Sequence, residues 1–62
     1  MTYVDFKNAM LDTIKKQENR NEDGSVNWNY VESDMFIEHG MTEEHRGAFN
    51  VIADSYEAGF GG

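Results

Sequence analysis

Cysteine and proline are both absent from this 62-residue chain. Without cysteine there is no disulfide framework and no thiolate metal site to support a small core, and the composition carries no trace of the redox compartment. Without proline, glycine is the strongest punctuation left. Cations are scarce as well: five Lys and Arg stand against twelve Asp and Glu, for a net charge of −7. That balance argues against a protein that binds nucleic-acid phosphates, because such affinity comes mainly from clustered Lys and Arg. No apolar run approaches the roughly 18 residues of a membrane span, and Met1–Asp5 has no signal-peptide character. A soluble, cytoplasmic protein with no membrane partner is expected. The apolar fraction is only 39%, and a chain this short buries just about 60% of the surface it exposes when unfolded.

What is present points to a single acidic helical domain over residues 1–62. Gly24, Gly40 and Gly59 divide the chain into three segments of helical length. The expectation is an all-α, three-helix domain with helices at about 3–20, 28–39 and 43–58. In the first segment Tyr3, Phe6, Ala9, Met10, Thr13, Ile14 and Gln17 recur at spacings of three and four, the signature of one helical face. Val4 and Leu11 are expected to widen that face. Thr2 is placed to cap its start, and Lys15, Lys16 and Arg20 sit where positive charge suits the end of a helix. In the second, Val26, Trp28 and Tyr30 alternate as in a strand, yet no other segment alternates to pair with it. Asn27 as N-cap, with Val26 before it stapled to Val31, makes the helical reading richer. Thr42 caps the third helix, with Glu43 and Glu44 in its first turn. The expected core is Phe6, Met10, Ile14, Trp28, Val31, Met35, Phe49, Ile52 and Tyr56.

Charge is unevenly distributed. Residues 1–20 carry four cations and three carboxylates, a net of +1, whereas residues 21–62 carry Arg46 against nine carboxylates, a net of −8. Three readings follow: a solvated surface that keeps the protein soluble, a basic first helix meeting the acidic remainder across a subunit contact, or an acidic face that imitates nucleic-acid phosphates and occupies a basic protein.

Between the first two helices lies Asn19-Arg20-Asn21-Glu22-Asp23-Gly24-Ser25-Val26-Asn27-Trp28-Asn29-Tyr30. This resembles the EF-hand calcium loop, with oxygen ligands at positions 1, 3, 5, 7, 9 and 12 and Gly at 6. The resemblance implies Asn19, Asn21, Asp23, Ser25 and Asn27 as ligands of a weakly held divalent cation. Position 1 is Asn19 where the family has Asp, and position 12 is Tyr30 where it has a bidentate Glu. The alternative is a plain helix–turn–helix connection whose Asn, Asp, Gly and Ser serve the turn itself.

His39 and His45 fall on either side of Gly40 and lack the spacing of a zinc pair on one helix. His39 is expected at a helix C-terminus and His45 on a partly buried face. Asp34 and Glu38 are four apart on one helix face with Glu32 near them, a candidate carboxylate pair whose ordinary role is a solvated face. With no nucleophile elbow and no Gly-rich phosphate loop, neither catalysis, cofactor nor small-molecule substrate is expected. The apolar residues of the second helix occupy more than one side, and a monomer this small cannot bury them all. Function is therefore expected to lie in protein–protein contact, most simply self-association as a homo-oligomer. Tyr30, Phe36, Ile37 and Phe60 are the candidate interface residues, with Trp28 as core or shared anchor.

Overall fold

A computed structural model describes residues 1–59; Phe60 lies outside the described residues. Thr2, in extended backbone, accepts the Asp5 N–H on its Oγ1 at 3.1 Å and starts α1, Tyr3–Lys15. Phe6, Met10, Thr13 and Ile14 form its buried face. Val4 does not widen that face: it is 62% exposed, while Leu11 is half-buried.

The helix expected over 3–20 stops at Lys15. Lys16 is extended, and a single 3-10 turn, Gln17–Asn19, follows. The cause is side-chain capping. A helix leaves its last carbonyls without partners, and here Asn19 Nδ2 donates to the Thr13 carbonyl at 2.9 Å while Arg20 Nε donates to that of Ile14 at 3.1 Å. The Arg20 side chain thus takes the Ile14 carbonyl, and Asn19 reinforces a Thr13 carbonyl that also accepts the Lys16 N–H at 3.3 Å.

Beyond Arg20 the chain forms a narrow loop. Arg20 and Val26 pair as an isolated antiparallel bridge, and Asn21 N–H reaches the Ser25 carbonyl at 2.8 Å. Asn27 N–H reaches that of Asn19, also at 2.8 Å. Gly24 turns the loop with φ +88°, a conformation that side-chain-bearing residues avoid. The strand-like alternation at Val26, Trp28 and Tyr30 yields only this one bridge.

Helix α2 spans Trp28–Glu38, with the Asn27 Oδ1 accepting the Tyr30 N–H at 3.4 Å. Val26 and Val31 are both buried in the core, consistent with the staple. Gly40, at φ +68°, ends the segment, and Met41 N–H bonds back to the Met35 carbonyl at 3.0 Å. That reversal delivers Met41 to the core, where it is buried.

Helix α3 spans Arg46–Glu57, behind a 3-10 turn at Glu43–His45. The tighter start has a local cause: His45 Nδ1 accepts the Thr42 N–H at 3.0 Å, and His45 N–H donates to the Thr42 carbonyl at 2.9 Å. The same imidazole lies flat on Phe6, with centroids 5.0 Å apart and planes 8° from parallel.

Helix α1 packs against both α2 and α3. The core holds Phe6, Met10, Ile14, Val31, Met35, Phe49 and Ile52, as expected, together with Val26 and Met41. Trp28 and Tyr56 are half-buried at its edge. Trp28 meets the Phe49 and Tyr56 rings edge-on, at centroid distances of 6.1 and 6.0 Å. Arg20 clamps that edge from the loop: its Nη2 donates to the Tyr56 hydroxyl at 2.8 Å, and its guanidinium carbon lies 5.9 Å from the ring centroid.

Candidate functional site

The five loop residues drawn from the calcium-loop pattern separate into one and four. Asn19 is only 4% exposed, and its amide nitrogen is divided between the Thr13 carbonyl and Asp34 Oδ2, the latter at 3.0 Å. It faces inward, away from the loop's other polar groups. Asn21, Asp23, Ser25 and Asn27 do come together, and they bond one another. Asp23 Oδ1 accepts from the Ser25 hydroxyl at 2.6 Å and from its N–H at 3.0 Å. Asn21 Nδ2 donates to Ser25 Oγ at 2.9 Å, and Asn27 Nδ2 donates to Asn21 Oδ1 at 3.2 Å. The Ser25 bonds hold the Asp23 carboxyl below its ordinary pKa of 3.8. Tyr30 leaves the loop altogether, exposed on the first turn of α2.

The carboxylates of α2 are distributed among structural partners. Asp34 takes hydrogen bonds from Asn19 and, at 3.3 Å, from Lys16 Nζ. The Asn19 bond is the first cause, and Lys16 a further one, of its lowered pKa. Glu32 pairs with Arg46 Nη1 at 2.9 Å, and Arg46 also binds Glu43, whose pKa its hydrogen bond lowers. Of the three α2 carboxylates, Glu38 alone is exposed and without an ion-pair partner among the described residues. His39 stands at the C-cap of α2, and His45 is the half-buried ring on Phe6. Among the described residues no three His, Asp or Glu side chains converge into a metal-binding group.

The apolar residues of α2 do point in several directions. Val31 and Met35 are fully buried, and Trp28 packs beside them with its Nε1 donating to Glu57 at 2.7 Å. Phe36 packs on the core edge under the Arg46 guanidinium, 5.7 Å from its ring centroid. Tyr30 and Ile37 stay out, 57% and 79% exposed. Of the candidate interface residues within the described chain, then, Tyr30 and Ile37 are exposed, whereas Trp28 and Phe36 pack against the core.

One surface was not singled out from sequence. On α1, Val4, Lys7, Leu11 and Lys15 follow one another at intervals of three, four and four, and so form a single stripe. Among the described residues the other cations are engaged: Lys16 with Asp34, Arg20 with carbonyls and Tyr56, Arg46 with Glu32 and Glu43. Lys7 and Lys15 have no such partner, and both are exposed. The spacing is legible in the sequence, but it places Val4 on the buried side, where only Leu11 packs on the core.

No family model, curated protein or solved structure matches this chain. Among the described residues no helix is long and apolar enough to cross a membrane.

Proposed function

We propose that this protein works without catalysis, through contact between its own surface and another protein surface, and that its first partner is a second copy of itself. The observation that carries this reading is the outward pair Tyr30 and Ile37, seven residues apart on α2 and turned away from the buried Val31 and Met35. Two large apolar side chains on one helical line gain from burial at about 25 cal/mol per Å² removed from water. A chain of this size has little other apolar surface with which to do so within the monomer.

The test is solution mass by light scattering after size exclusion, at micromolar concentration and physiological salt. A dimer or larger assembly is expected. Ile37→Asp should return the protein to a monomer with unchanged helical circular dichroism, because the side chain is exposed and contributes little to the fold. A native protein that stays monomeric up to hundreds of micromolar would overturn the proposal.

A further inference from the structure

We infer that the surface meeting Tyr30 and Ile37 is the α1 stripe of a second copy, so that Val4 and Leu11 pack on the α2 pair while Lys7 and Lys15 face its carboxylates. The inference rests on the self-association reading above and specifies its geometry.

Pitch is the first argument. Val4 and Leu11 are seven residues apart, as are Tyr30 and Ile37. At 1.5 Å of rise per residue each pair spans about 10.5 Å along its helix. Equal seven-residue pitch lets two helices interleave their apolar side chains at a shallow crossing angle.

Charge is the second. Helix α2 carries Glu32, Asp34 and Glu38 and no cation; Arg46 and Lys16 already engage the first two, and Glu38, next to Ile37 in sequence, is exposed without an ion-pair partner among the described residues. The α1 stripe carries the two cations that lack partners among the described residues. The acidic members of α1, Asp5 and Asp12, lie away from that line, roughly a quarter-turn round the helix at 100° per residue. Apolar contact supplies the attraction, and the lysines fix register and speed encounter, as charges at an interface rim do. Both halves of the match belong to one chain: Val4, Tyr30 and Ile37 are exposed in it, and Leu11 is half-buried with one side on the core. A second copy can therefore supply each. Two unlike patches close into a two-fold dimer when each copy engages the other twice, and otherwise propagate.

Intermolecular paramagnetic relaxation tests this directly. The chain has no cysteine, so Asn29→Cys accepts one spin label at an exposed position beside the Tyr30–Ile37 line. Labelled protein is mixed with unmodified, nitrogen-15 protein. Broadening of the Val4, Lys7, Leu11 and Lys15 amides is expected. Broadening confined to α2 would overturn the inference and leave self-association standing as a like-with-like contact. Absence of any intermolecular broadening at millimolar protein would overturn both. In the same assay, Lys7→Glu with Lys15→Glu should weaken association roughly tenfold at low salt, with a smaller difference at high ionic strength. An unchanged affinity at low salt would also overturn the inference.

Discussion

Phe6→Ala is expected to leave the chain largely unfolded at 25 °C. Phe6 is 1% exposed and heads the buried face of α1. Truncating a buried phenylalanine costs about 3–5 kcal/mol, through lost transfer energy and the cavity left behind. At ~0.05–0.15 kcal/mol per residue, a domain of this length has only about 3–9 kcal/mol in total. The loss is concentrated here because Phe6 also supports the His45 ring, which in turn holds the Thr42 N–H. Removing the phenyl group loosens the α2–α3 connection together with α1. Far-UV circular dichroism and urea titration give the readout. A variant that retained a cooperative transition within 1 kcal/mol of the parent would show that α1 does not hold the fold together in this way.

Asn19→Ala is expected to cost about 1–3 kcal/mol, a large effect for a polar residue outside the main helices, because it removes two hydrogen bonds from a buried side chain. The Asn19 amide adds a second hydrogen bond to the Thr13 carbonyl, which also accepts the Lys16 N–H at 3.3 Å, and a bond of this kind contributes about 0.5–1.5 kcal/mol. The variant also loses the bond to Asp34, whose pKa lies below 3.8 chiefly because of that bond. The sign follows from linkage. A carboxyl whose folded pKa is depressed adds stability that is fully present above its unfolded value and disappears as pH falls through the folded one. The difference between parent and Asn19→Ala should therefore be larger at pH 7 than at pH 2–3. Urea melts at both pH values measure it, and an equal difference at each would remove Asp34 from the account.

These two residues also mark what could be read from sequence and what could not. Phe6 was identifiable because Met10, Thr13 and Ile14 repeat its side of the helix, and periodicity reports burial well. Thr2, Asn27, Gly24 and Gly40 were legible for a similar reason: caps and left-handed turns depend on residue type and near neighbours. Asn19 was not. Its amide is fixed by Thr13, six residues back, and by Asp34, fifteen ahead, and no local pattern encodes that meeting. The same type that made it resemble a cation ligand made it a helix cap. Met41 reaches the core because Gly40 reverses the chain, so its burial depends on the turn and not on a helical period. On the surface, Tyr30 and Ile37 are exposed on α2, and so is Val4, which the spacing alone places on the buried side. A residue in the first turn of a helix can fit two faces equally well until the neighbouring helices are in place.

Arg20 has a consequence for the order in which the molecule assembles. Its bonds to Ile14 and Gly24 span six and four residues, whereas its bond to Tyr56 spans thirty-six. Short loops close at small entropic cost and long ones close later. The α1–loop–α2 hairpin, stitched by Asn19 and Arg20, is therefore expected to form first, with α3 docking onto it as Tyr56 meets the guanidinium. Changes at Asn19 should then slow folding, while changes at Tyr56 should chiefly hasten unfolding. One arginine side chain thus joins the earliest and the latest contacts of the chain.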